Sequence, residues 1–160
     1  IHNPWTHVLK GKRLLIVSPF VDSIREKEKD RKKIYGIDLF PDCKFVYLKP
    51  PQTQGEVESK EYTDELHKFF NKVSILKDDF DIALCSCGGY GNLVVNFIYE
   101  MGKSAIYVGG VLQMYFGILG NRWMKERPDI VKLFYNKHWK RPKMSERPLN
   151  YNKVENGCYW

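Results

Sequence analysis

The chain has 160 residues, 43% hydrophobic and 28% charged, a length and balance that fit one globular domain with a core of ordinary size. Its formal net charge of +7 favours anionic partners, but the cations are spread over 10–13, 25–33 and 137–143. No RRM, KH or zinc-finger pattern accompanies them, which argues against nucleic acid, and the uncharged stretch 104–120 is shorter than the ~20 apolar residues that span a bilayer.

In chain order, residues 12–17 (Lys-Arg-Leu-Leu-Ile-Val) predict a buried strand that ends at Ser18-Pro19. Residues 22–35 are rich in charge and free of Gly and Pro, which predicts one helix stopped by Gly36. Its cations alternate with Glu26, Glu28 and Asp30, the pattern of a solvated helix face. A second strand is expected over 43–48, closed by Pro50-Pro51, and 52–59 reads as a mobile polar loop. A second helix is predicted over 60–76, where Tyr62, Leu66, Phe69, Phe70 and Val73 fall at helical spacing.

Residues 80–85 predict a third strand. The glycine turn 88–92 then leads into a helix over 93–101, closed by Gly102, and 105–108 is a fourth strand. Gly109-Gly110 turns into a helical piece through Phe116. Past Arg127-Pro128 the pattern fades to a short helix over 129–135 and an irregular tail over 137–160.

Short apolar runs without polar alternation, each followed by a helix, are the signature of a parallel sheet covered on both faces. The expected fold is α/β and Rossmann-like: one domain over 1–160, with a sheet-and-helix core at 1–127 and a helix plus irregular tail at 128–160. Tyr159-Trp160 is too apolar for a solvated tail, so the tail is expected to pack back on the core.

Cys43, Cys85, Cys87 and Cys158 include a C-x-C inside an apolar run but no second close pair that would complete a zinc site. Buried free thiols are expected, and with them a reducing, cytoplasmic setting. No signal peptide is visible; the polar, turn-like His2-Asn3-Pro4-Trp5 reads as the start of a segment from within a longer protein. His2, His7, His67 and His138 share no metal-ligand spacing with Cys or carboxylates. Neither a G-x-S-x-G elbow nor a Cys-His pairing supports hydrolase chemistry.

In open α/β sheets ligands bind beyond the carboxyl ends of the strands, near the switch in strand order. Three turns are expected at that edge: Ser18-Pro19-Phe20, Cys87-Gly88-Gly89-Tyr90-Gly91-Asn92 and Gly109-Gly110-Val111-Leu112-Gln113. Glycines before a helix start suit a phosphate or diphosphate, and they equally suit a tight turn with positive φ. The spacing matches neither G-x-G-x-x-G nor G-x-x-x-x-G-K-[ST]. Gln113 has two readings, a hydrogen-bonding group for a sugar or base edge and a buried capping amide. Arg122-Trp123 offers a phosphate clamp and a stacking ring, or an Arg packed on a Trp as support. Glu155, in the closing Val154-Glu155-Asn156-Gly157-Cys158-Tyr159-Trp160, is either a buried acid near the site or a cap or salt-bridge acid.

Several of these stretches together resemble one protein group. They are Pro4-Trp5, Leu9-Lys10-Gly11-Lys12-Arg13, Ser18-Pro19-Phe20, Phe80-Asp81-Ile82-Ala83 and Cys87-Gly88-Gly89-Tyr90-Gly91. Gly102-Lys103-Ser104-Ala105-Ile106, Gly109-Gly110 with Gln113, Phe116-Gly117-Ile118, Arg122-Trp123 and the closing motif extend the likeness over nearly the whole chain. The group comprises proteins of bacterial polysaccharide gene clusters and large viruses, and is similar to glycosyltransferases of the GT-D type. The resemblance implies a nucleotide-sugar donor and a glycan acceptor. It also implies a divalent metal such as manganese, held by a D-x-E motif, often within Asp-Gly-Glu. This chain has no Asp-Gly-Glu, and Asp64-Glu65 on a predicted helix is no substitute. Either an N-terminal domain outside this chain carries that motif, or this version binds without the metal.

The leading expectation is thus a glycosyltransferase, or its nucleotide-sugar-binding part, in polysaccharide assembly. The glycine turns would hold the diphosphate, Arg122 would balance its charge, Tyr90 or Trp123 would stack on a ring, and Glu155 would take the acceptor proton. The alternatives are a non-catalytic nucleotide- or sugar-binding or structural module, and another Rossmann-like enzyme such as a methyltransferase.

Overall fold

The computed structural model describes residues 3–53 and 61–160. Four parallel strands form the centre: β1 (Arg13–Val17), β2 (Lys44–Leu48), β3 (Ile82–Cys85) and β4 (Ser104–Tyr107). Their order across the sheet is β2-β1-β3-β4, so the chain leaves β1 toward one side and returns past it to β3. Leu15 stands beside both Val46 and Ala83, which puts the reversal of direction between β1 and β3. This is the Rossmann-like α/β arrangement expected from the apolar runs.

Alternation along β1 divides the core. Leu14 and Ile16 join Phe20, Ile24, Phe40, Leu112, Phe116 and Trp160 on one face. Leu15 and Val17 join Leu66, Phe69, Val73, Val94 and Ile98 on the other. The second face is covered by α3 (Tyr62–Ile75) and α4 (Gly91–Glu100). The first is covered by α1 (Val21–Lys27), α5 (Leu112–Tyr115) and the tail. Phe20, Phe40, Phe80 and Phe116 are fully buried, each contributing about 1.5–3 kcal/mol by transfer from water.

The single helix expected over 22–35 is two. A tight turn at Glu28–Asp30 separates α1 from α2 (Arg31–Tyr35), and that turn buries no side chain. Its charges do more than face water: Arg25 and Arg31 lie over the rings of Tyr47 and Phe45, and the Tyr47 hydroxyl donates to Glu28 at 2.8 Å. The broken helix thereby wraps the β2 side of the sheet. Gly36 closes α2 at φ +76°, as its position predicts. The predicted mobile loop lies outside the described residues from 54 to 59, as does Lys60 of the predicted second helix.

Beyond the sheet, α6 (Asn121–Glu126) and α7 (Pro128–Phe134) precede a tail of short turns. The tail folds back as its aromatic end predicts. Glu146 is buried and accepts from the backbone N–H groups of Asp22 (2.9 Å) and Ser23 (3.1 Å) at the start of α1, and from that of Lys143. The Ser23 hydroxyl also donates to it. Trp160 donates its indole N–H to the Glu146 carbonyl and meets Phe20 edge-on, with ring centroids 5.7 Å apart. No helix among the described residues is long and apolar enough to cross a membrane.

Candidate functional site

A cavity of about 250 Å³ opens where the carboxyl ends of all four strands converge. Pro19 and Phe20 reach it from β1, Pro50 to Thr53 from β2, Ser86 to Tyr90 from β3, and Tyr107 and Gly110 from β4; Tyr62 of α3 and Tyr159-Trp160 of the tail complete it. This is the edge, and the switch in strand order, where such sheets bind ligands. The expected meeting of the turns after β1, β3 and β4 is realised there.

The wall is aromatic and held in place. Tyr90 stacks on Tyr62 at 4.9 Å with the planes within 7°, and its hydroxyl shares a 2.9 Å hydrogen bond with Thr53. The Tyr107 hydroxyl donates to the Gly88 carbonyl at 3.3 Å, bracing the turn after β3 from the neighbouring strand.

The glycines divide by cause. At Gly91 a β-carbon would enter the Tyr107 ring, and at Gly110 it would fall 2.7 Å from the Tyr159 ring, so these two are glycine because aromatic side chains lie on them. Gly91 does not border the cavity; it opens α4, which starts two residues before the predicted Leu93. Gly88 and Gly109 have φ +53° and +68°, the turn geometry that was the other reading of both sites. Gly89 has neither cause. Its φ is not positive, nothing beyond its own stretch of backbone lies within 4 Å of its would-be β-carbon, and it is exposed on the cavity wall. Open space beside a glycine with no internal requirement leaves room for a ligand's close approach.

Other expected site residues lie elsewhere. Ser18 is fully buried, its hydroxyl accepting from the Phe20 N–H at 3.2 Å, and Asn92 sits exposed on the first turn of α4. Neither lines the cavity. Gln113 is the buried capping amide: its Nε2 donates to the carbonyls of Ile118 (3.2 Å) and Tyr159 (3.4 Å). Trp123 packs toward Ile34, Met114, Leu119 and Trp139, away from the cavity.

Arg122 does not pack on Trp123. Its guanidinium lies 5.0 Å over the Tyr159 ring, donates to the Tyr159 hydroxyl at 3.1 Å, and pairs with Glu155. Glu126 stands 3.5 Å away on the next turn of α6. Glu155 is 56% exposed in its side chain and also accepts from the Cys158 thiol at 3.2 Å. The salt-bridge reading of Glu155 therefore describes its position, behind Tyr159 and outside the cavity lining.

No side-chain carboxylate, imidazole, ammonium or guanidinium is among the described residues lining the cavity. Burial pushes the Cys87 thiol up to about 12, and raises that of Cys85 further, so neither stands as a free thiolate at neutral pH. All four cysteines are buried and unpaired. Among the described residues no three His, Cys, Asp or Glu side chains converge to hold a metal, so they do not fit the divalent ion that the resemblance implies.

Sequence reasoning did not single out Pro50 to Thr53, Tyr62, Ser86, Tyr107, Tyr159 and Trp160 as site residues. The strand-end rule applied to β2 would have found the first group. Comparison of the chain with family models, curated proteins and solved structures finds no match.

Proposed function

We propose that this chain is the nucleotide-sugar-binding part of a glycosyltransferase acting in cytoplasmic glycan or polysaccharide assembly. The observation that carries the reading is the aromatic cavity at the strand-order switch, onto which Gly89 opens without an internal reason to be glycine. Stacking tyrosines suit a base or sugar ring, and the Ser86, Thr53 and Tyr hydroxyls suit its polar edges. The resemblance to GT-D-type proteins supplies the reaction: an acceptor hydroxyl displaces the nucleoside diphosphate at the anomeric carbon. Within that reading, Tyr62 and Tyr90 orient the ring and Trp160 with Phe20 excludes water from the inner wall.

A second reading, a non-catalytic nucleotide- or sugar-binding module, is favoured by the absence of any acid or base among the described lining residues. A thermal-shift panel separates the classes, using UDP-, GDP- and TDP-sugars, free nucleotides, NAD and S-adenosylmethionine, each with and without manganese. A ligand at 100 times its Kd stabilises by ~2.7 kcal/mol. Stabilisation by nucleotide sugars with sugar transfer supports the transferase; stabilisation without transfer supports the binding module. A response confined to S-adenosylmethionine overturns both, and one confined to NAD overturns the transferase.

A further inference from the structure

Beside the aromatic cavity, and sharing its Pro50, Pro51 and Gln52 wall, lies an open groove of about 520 Å³ between the end of β2 and α3. Lys49, Lys68 and Lys72 line it, with Glu65, Phe69 and Asn71. Lys68 pairs with Glu65 at 3.2 Å, whereas Lys49 and Lys72 make no ion pair among the described residues. Lys68 and Lys72 are four residues apart on one helix, a spacing at which like charges repel. Lys49 joins them from the carboxyl end of β2, the same sheet edge that bears the cavity. Three cations thus meet one carboxylate, next to a cavity that has none of either among its described lining residues.

We infer that this groove holds the phosphates of the nucleotide whose ring occupies the aromatic cavity. The inference rests on the nucleotide reading above and changes where its charge is met. Arg122, the cation expected to balance the diphosphate, is already engaged by Glu155, Glu126 and Tyr159 behind the cavity wall. The cavity alone, at about 250 Å³, falls below the roughly 300–1,000 Å³ usual for ligand sites, and the adjoining groove brings the pair into that range. Ring and phosphates then lie on opposite sides of the Pro50 to Gln52 wall's rim, with the turn at Gly88-Gly89 facing the ribose.

The test is calorimetric titration of uridine, UDP, guanosine, GDP, thymidine and TDP into the parent and into K49Q/K72Q. Both lysines are exposed, so the fold is retained. A K132Q/K137Q variant, exposed and outside the groove, removes the same net charge. The expected result is that at least one diphosphate binds more tightly than its nucleoside. K49Q/K72Q should weaken that diphosphate about tenfold, the scale of two exposed charge pairs, and leave the nucleoside unchanged. The control variant should bind as the parent does. If diphosphate and nucleoside bind equally, or K49Q/K72Q keeps their difference, the groove is not the phosphate site while the nucleotide reading stands. If the parent binds none of the six, both fall.

Discussion

The Tyr107 ring lies so close over Gly91 that a β-carbon on the glycine would stand 2.2 Å from its Cε2. A residue of β4 therefore dictates the identity of the first residue of α4. Gly91→Ala is expected to destabilise by about 1–3 kcal/mol, the usual cost of overpacking. In a Tyr107→Ala background the same substitution should cost little, and a double-mutant cycle in urea should return that difference as coupling. Additive effects would show that the ring swings away freely.

Gly89→Ala should behave in the opposite way. The site is open and its φ is not positive, so the folded protein is expected to keep its stability or gain up to about 1 kcal/mol. Nucleotide affinity should fall at least about tenfold, because a methyl group would occupy the approach. Melting temperature and binding measured on one preparation separate the two effects. Unchanged affinity would mean that the turn after β3 serves structure alone.

Replacing Glu146 tests the tail. Glu146→Ala leaves the N–H groups of Asp22, Ser23 and Lys143 without their acceptor and is expected to cost about 2–4 kcal/mol in urea unfolding. Glu146→Gln keeps one acceptor oxygen and should fall between Ala and parent. Equal stability of all three would detach the tail from the core energetically.

Acid sensitivity should follow Asp81. Its side chain accepts from the Arg13 guanidinium and, at 2.8 Å, from the Arg13 backbone N–H, which holds the carboxyl down from the ordinary 3.8 to about 2. A carboxyl depressed in the folded state adds stability above its unfolded pKa and gives it up as pH falls through the folded one. Unfolding free energy should therefore decline between about pH 4 and pH 2, and Asp81→Asn should flatten that decline.

Thiol titration should count four free cysteines in denaturant. Under native conditions Cys85 and Cys87 should react slowest with a disulfide reagent, because burial keeps both protonated. Fewer than four thiols would reveal a bond that the structure does not contain.

The central strands β1 and β3 were legible because both are buried and so read as apolar runs, whereas the edge strands β2 and β4, half-buried to exposed, were legible from the apolar residues between their flanking turns. The break between α1 and α2 was not, since it depends on Tyr47 and Phe45 of β2 meeting Arg25 and Arg31. Arg122 and Trp123 were read together as sequence neighbours, yet adjacent helical residues point apart, and Arg122 meets Tyr159 instead. The edge of the sheet carrying the site followed from the glycine turns. Its aromatic wall did not, because Tyr62, Tyr107 and Tyr159 come from three distant segments with no shared pattern.

The edge-to-face contact of Phe20 with Trp160 joins the turn after the first strand to the far end of the sequence. A contact of such separation is held against the closure entropy of the whole intervening chain. The inner wall of the cavity therefore exists only while the turn after β1 and the tail are both in place. A small molecule seated there would slow amide exchange in β1 and the tail together.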